Sequence, residues 1–223
     1  MPTRFKIILL LTNRKLNFVL ITLIACRLYY FKIFKTLSIF SMCHNCSKKS
    51  STFCSDAQCV TADGIERGLL TVNRQLPGTS IQVCVDDIVV VDVTNYMDGT
   101  STTIHWHGMT MKGTPFSDGV PFITQCPAQF GNTFRYSFEA KDAGTHFYHS
   151  HSGLQRANGL FGSIIVRIPQ ESKLYDHDPQ DFTVLISDWM HSYAEQFFPK
   201  LPDKQTLFSS ILINGRGVHY DVS

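Results

Sequence analysis

An all-β sandwich or barrel with Greek-key connections is the fold class that the sequence predicts, on three observations. The stretch "TSIQVCVDDIVVVDVTN" alternates Ile81, Val83 and Val85 on one face, then continues through β-branched residues to a turn at "NYMDGT". "NTFRYSFEA" alternates Phe134, Tyr136 and Phe138, and "GSIIVRIP" closes a unit at Pro169. Short runs of this kind, separated by Gly, Asn and Asp turns and with no sustained helical period between them, are the pattern of stacked or closed antiparallel sheets.

Taken in order, the chain divides into five parts. Residues 1 to 41 carry seven basic residues (Arg4, Lys6, Arg14, Lys15, Arg27, Lys32, Lys35), no acidic one, and the apolar runs "IILLL" and "FVLITLIAC". Charges interrupt those runs before the roughly 20 apolar residues that a membrane span needs. The segment therefore reads as a leader: a secretory signal peptide, a signal anchor or an artefactual amino end. Residues 42 to 60 are Cys-rich. "CHNCSKKSSTFCSDAQC" holds Cys43, Cys46, Cys54 and Cys59, a framework of disulfides or, by the spacing of its first pair, a zinc site. Residues 61 to 169 form the β domain, closing at Pro169, and 170 to 181, the polar "QESKLYDHDPQD" that follows it with a second proline, a linker. Residues 182 to 223 begin a second domain with "FTVLISDW" and stop after "LINGRGVHYDVS", too short for a second sandwich. That last piece is expected to hold no fixed structure by itself.

Composition narrows the function. With 43% hydrophobic and 17% charged residues over 223 positions, the chain can bury a core, which excludes a disordered tail. Without the first 41 residues there remain 13 Lys+Arg against 18 Asp+Glu, a net of −5, so the body has no basic stripe and nucleic acid is not its partner. A leader and closely spaced cysteines both point outside the cell, with membrane attachment only if the leader stays on as an anchor.

The residues with chemistry are two His-x-His pairs, "HWHG" with His105 and His107, and "FYHSH" with His149 and His151. Side chains two apart on a strand face the same way, so each pair directs two imidazoles into one space. Four neutral nitrogen donors suit copper, zinc or iron. Trp106, between His105 and His107, and Tyr148, next to His149, are expected on the opposite face, packed beneath the site. His146, odd-spaced relative to His149, belongs with them and is not a ligand. His177, His191 and His219 stand alone and are expected to be structural. Asp118, in "SDGVP", is either a turn aspartate or a carboxylate able to hold a proton beside the metals.

These motifs resemble those of the multicopper oxidases, and within them the insect laccase-like branch: "ADGIERGLLTVNRQLPGTSIQVC", "HWHG", "DGVPFITQCP" and "TFRYSFEAKDAGTHFYHSHSGLQRANGLFGSIIVR", with "SDWMH" and "ILINGRG" like the opening of that family's second domain. The resemblance implies a cupredoxin-like Greek-key barrel with an incomplete second cupredoxin domain. It implies that His105 binds a type 2 copper, that His107 and His149 share one type 3 copper and that His151 binds the other. It places Asp118 where the family has its acidic residue near the cluster, and Cys126 where related laccases bond toward their last domain. Asn158 stands where the insect pattern usually has Asp, and Tyr148 where Trp is usual. The family's other four cluster histidines and its type 1 copper motif do not occur here.

The implied activity is oxidation of a small phenolic or metal-ion reductant, a diphenol or ferrous iron, with dioxygen taken to water by four electrons and four protons. The chain would supply half of the three-copper site, the missing carboxyl-terminal domains the rest. The alternative is a secreted copper-binding or interaction domain without turnover. A hydrolytic zinc site is the weakest option, since Asp118 is its single candidate base.

Overall fold

The computed structural model describes residues 26–38, 60, 62–168, 183–197 and 209–219. Among them are ten strands: β1 (Cys26–Ser38), β2 (Arg67–Val72), β3 (Gly78–Cys84), β4 (Ile88–Asn95), β5 (Ile104–His107), β6 (Thr133–Glu139), β7 (Gly144–Ser150), β8 (Phe161–Arg167), β9 (Ile186–Trp189) and β10 (Ser210–Ile213). Two short 3₁₀ turns, Pro115–Ser117 and Ala194–Phe197, are the helical content of the described residues. No described helix is long and apolar enough to cross a membrane. The Cys-rich cysteines and the linker with His177 lie outside the described residues.

Two four-stranded sheets, ordered β2-β1-β4-β6 and β3-β8-β7-β5, face each other across one core. The long apolar run that begins at Thr79 does not form one strand. It breaks at Asp86, whose φ of 67° turns the chain out of β3 and into β4 in the other sheet. The Asp87 carboxylate accepts the Cys84 N–H at 2.8 Å and closes that corner. On either side the expected alternation holds: Ile81 and Val83 point inward from β3, and Val89, Val91 and Val93 from β4. Tyr136 and Phe138 of β6 and Ile164 and Val166 of β8 complete the walls.

The expected leader boundary at residue 41 is corrected by this arrangement. Cys26–Ser38 is a strand inside the first sheet, antiparallel to β2 (Ile33 opposite Val72) and parallel to β4 (Tyr29 opposite Val91). Phe31 and Ile33 are buried in the core, and the Tyr29 hydroxyl donates to the Gln82 carbonyl of β3 at 3.0 Å. Among the described residues the barrel thus includes Cys26–Ser38, ahead of the expected start at 61. The basic and apolar content of residues 1 to 41 suggested a leader, whereas within "LYYFKIF" the period of two, Tyr29, Phe31 and Ile33, is what the core uses.

The described parts of the carboxyl-terminal segment form a two-stranded ribbon that leans on the barrel. β9 and β10 pair antiparallel, with Ser210 opposite Trp189, and their inner residues Trp189 and Leu212 bury against Ala62, Leu69 and Leu76 of the barrel. Polar contacts hold this dock. The Arg67 guanidinium lies 4.4 Å above the Trp189 ring and donates to the Met190 carbonyl and, at 2.7 Å, to Asn158 Oδ1. Asn158 is wholly buried. Its Oδ1 also accepts the Ala194 N–H at 2.9 Å, while its amide donates to Glu195. An aspartate here could not donate to Glu195, so asparagine is more than a turn residue.

Candidate metal centre

β5 and β7 are antiparallel neighbours with His105 opposite His149, Trp106 opposite Tyr148 and His107 opposite Phe147. Alternation therefore sends the odd-numbered side chains to one face and the even-numbered ones to the other. The even face is core: Ile104, Trp106 and Tyr148 are fully buried. The Trp106 ring sits 5.2 Å from both Tyr136 and Phe138, and Phe31 of β1 packs 4.8 Å from Tyr148. An aromatic floor thus backs the histidine-bearing strands, as expected for Trp106 and Tyr148, with Phe31 added by the strand that had been assigned to the leader.

On the other face His105, His107 and His149 converge, each offering a ring nitrogen within 4.8 Å of the others. His151 lies just past the end of β7, where its N–H donates to the Thr103 carbonyl at 3.2 Å and extends the register. Its ring stands beside the triangle, 5.6 Å from His105 and 6.2 Å from His149, over a cavity of about 310 Å³ that Gly153, Leu154, Arg156 and Ala157 also line. His146 is on the core-facing side, as alternation requires. Its Nε2 donates to the Asp142 carbonyl at 3.0 Å, and its ring fills the space beneath Gly108, where a Cβ would come within 2.4 Å of His146 Nδ1.

The hydrogen bonds set the tautomers. His105 Nδ1 is 2.7 Å from the Asp118 carbonyl and His149 Nδ1 is 2.9 Å from the Ser150 carbonyl. A carbonyl oxygen can only accept, so each Nδ1 carries the proton and each Nε2 keeps a lone pair. His149 Nε2 then faces His107 Nδ1 at 3.4 Å. For metal–imidazole bonds of about 2.0–2.1 Å at near-tetrahedral angles, two ligand nitrogens lie about 3.3 Å apart. The donor set and its spacing therefore fit one metal ion held between His107 and His149, with His105 adjacent.

Asp118 enters the site by its backbone as well as its side chain: its Oδ1 is 3.4 Å from His105 Nδ1, beyond the carbonyl contact. Gly119 makes this approach possible. A Cβ there would meet the Ile104 carbonyl at 1.9 Å, and its φ of 85° is one that side chains disfavour. Gly119→Ala is expected to push the loop off β5, release the His105 ring and lower copper affinity by about 10- to 100-fold, the range for losing an orienting partner. Competition titration of the chain against a chelator reads the loss.

Burial, with Arg156, His105 and His107 adding to it, drives the His149 imidazole down to about 4, so it stays a neutral donor at ordinary pH. A folded pKa depressed below the unfolded value means that the unfolded chain binds more protons between the two. Stability of the metal-free chain should therefore be complete above about pH 6.5 and fall by about 2 kcal/mol toward pH 4. Urea unfolding across that range checks this, and His149→Gln should flatten the slope.

Sequence inspection missed Gln155, which ties the two histidine strands together. Its Oε1 accepts from Thr102 Oγ1 at 2.8 Å and Ser150 Oγ at 2.7 Å, and its amide donates to the Ser101 carbonyl at 2.9 Å. Nothing periodic marks it. Cys84 and Cys126 are exposed free thiols.

A multicopper oxidase family model matches residues 54–171, just over half of the chain. L-ascorbate oxidase of Cucumis sativus is 40% identical over 159 residues, covering 70% of this chain and 27% of the relative. Laccase-1 of Cryptococcus neoformans is 39% identical over 166 residues, covering 70% and 26%. Among solved structures, the blue copper oxidase from Nitrosomonas europaea superimposes with a TM-score of 0.67 at 28% identity, over 86% of this chain and 54% of that one. The laccase from Botrytis aclada does so with a TM-score of 0.68 at 27% identity, over 89% and 32%. The chain spans about a quarter of the length of the curated relatives it matches. These likenesses, with the nearly all-β architecture, make the fold cupredoxin-like. The chain belongs to the multicopper oxidase family, and copper is the metal that membership implies.

Proposed function

We propose that this chain contributes His105, His107, His149 and His151 to the oxygen-reducing copper centre of a secreted laccase-like oxidase whose reductant is a diphenol or ferrous iron. The assignment within the centre follows the motifs: His105 to a type 2 ion, His107 and His149 to one type 3 ion, His151 to the other. One observation carries the reading, the 3.4 Å approach of His107 Nδ1 to His149 Nε2, whose lone pair follows from the hydrogen bond of His149 Nδ1 to the Ser150 carbonyl. In the metal-free chain that lone pair can accept a proton shared with His107 Nδ1, and a cation bound between the two nitrogens takes that proton's place.

Copper, when bound, supplies the one-electron redox steps that four-electron reduction of dioxygen requires. The chain's own residues do the rest of what is visible. Burial keeps His149 unprotonated. Asp118 holds His105 in the tautomer that frees Nε2, and its Oδ1, on a side chain 31% exposed, can pass protons between solvent and the site. The aromatic floor of Trp106, Tyr148 and Phe31 fixes the strands from beneath. Export belongs to the same proposal and now rests on the basic and apolar residues before Cys26 and on the Cys-rich segment.

Copper titration of the chain, followed by electron paramagnetic resonance, tests the reading. Nitrogen hyperfine coupling from imidazoles is expected, with no intense blue absorption, since the sequence holds no His-Cys-His motif. Copper binding that persists undiminished in a His105→Ala, His149→Ala double variant would sink it.

A further inference from the structure

Two of the histidines expected to stand alone are drawn together by the fold. His191, two residues beyond β9, and His219, beyond β10, meet Asp63 of the turn before β2, and each of the three offers a ligand atom within 4.8 Å of the others. We propose that Asp63, His191 and His219 form a second divalent-metal site, of zinc type, that fastens the carboxyl-terminal segment to the barrel. It shares no residue with the His105 centre and stands independently of the function proposed above.

The chemistry of the donors supports an ion. Asp63 has its side chain fully shielded from solvent, and its Oδ1 accepts the Ile65 N–H at 3.3 Å. Its Oδ2 accepts from Ser210 Oγ at 2.6 Å and from His191 Nε2 at 2.7 Å. His219 Nδ1 is 3.4 Å from the Ser209 carbonyl, which leaves Nε2 with a lone pair, the arrangement seen at His105 and His149. The His191 and His219 rings are nearly perpendicular, 87°, with centroids 4.4 Å apart. Two imidazole nitrogens and one carboxylate oxygen, with both rings only partly buried, match the three-ligand zinc sites whose fourth position is left to water.

The frame around the cluster is built in advance. The Gly217 N–H donates to the Ala62 carbonyl at 3.0 Å and the His219 N–H to the Asp63 carbonyl at 3.4 Å, so the backbones that carry two of the ligands are already joined. Trp189, two residues before His191, and Leu212 of β10 are buried in the dock with Ala62, the neighbour of Asp63. Binding requires one local change. Neutral His191 moves its N–H from Nε2 to Nδ1, and the ion takes the place of that proton against Asp63 Oδ2. The ion then links three segments that are otherwise joined by hydrogen bonds and apolar contact.

The test is zinc binding to the full chain, its His219→Ala variant and its Asp63→Asn variant, read by equilibrium dialysis and by thermal unfolding with zinc or with a chelator. The wild-type chain should bind one equivalent more than His219→Ala, with zinc raising its Tm by several degrees. His219→Ala should lose that equivalent and most of the zinc-induced shift. It should keep the chelator-treated Tm of the wild type to within a few degrees, because its ring is peripheral to the Asp63–His191 bond. Asp63→Asn keeps a hydrogen-bonding side chain of the same shape and should lose the same equivalent. Equal zinc stoichiometry and equal zinc shifts in all three proteins would overturn the proposal and leave a hydrogen-bonded clasp that takes no ion.

Discussion

Replacing His149 by alanine should lower the chain's copper affinity by at least about 100-fold, beyond the 10- to 100-fold typical of losing a group that merely orients a ligand. His149 is the most buried of the four histidines, is neutral far below ordinary pH, and is the partner of the 3.4 Å approach by His107. Without it His105 and His107 remain as two donors on one strand, with no nitrogen across from them on β7. His107→Ala and His105→Ala should follow closely, and His151→Ala should have a smaller effect in this chain because its ring stands outside the triangle. His146→Ala is the informative control. Its ring lies on the core face, so copper affinity should stay within about threefold of wild type, since it is neither ligand nor orienting partner. Competition with a copper chelator measures the whole series. A His146 effect equal to that of His149 would contradict the division of faces.

Phe31→Ala should destabilise the folded chain by about 4 kcal/mol, within the range for removing a large buried aromatic side chain. The ring is 1% exposed and packs 4.8 Å from Tyr148 and 6.2 Å from Trp106, so alanine leaves a cavity directly under the histidine-bearing strands. For a chain of this size that corresponds to a fall in Tm of roughly 10 °C. Copper affinity should fall as well, because the floor that fixes Tyr148 also fixes the backbone of His149. Denaturant unfolding with and without copper reads both effects. A change under about 1 kcal/mol would mean that β1 is not part of the core, as it would be if it belonged to a leader.

Several parts of this molecule were legible before any coordinates. The period of two in "HWH" and "HSH" predicts the imidazoles on one face and Trp106 and Tyr148 on the other, and the strands place His105, His107 and His149 together, with His151 just past the end of β7 beside them. The same rule separated His146 from its neighbours. The rule is local, since a strand's geometry alone decides which way residues i and i+2 point. It failed where two properties of one segment competed. In Cys26–Ser38 the apolar content suggested export, while the alternation that the core uses went unread.

Only the tertiary structure could decide what lies across from what. The Asp63–His191 contact joins residues 128 positions apart, and the Arg67–Asn158 bond residues 91 apart. No spacing rule reaches such distances. The Ile104 carbonyl lies where a Gly119 Cβ would be, and Arg67, Ala194 and Glu195 surround the Asn158 side chain, neighbours that no local pattern brings to either residue. The sequence by itself determined the kind of strands, the face of each histidine and the family. Folding decided which strand lies under the site, how each ring is oriented by a backbone carbonyl, and that Asp63, His191 and His219 share one space. The first set follows from backbone geometry within a few residues, the second from how the sheets and the carboxyl-terminal segment pack against one another.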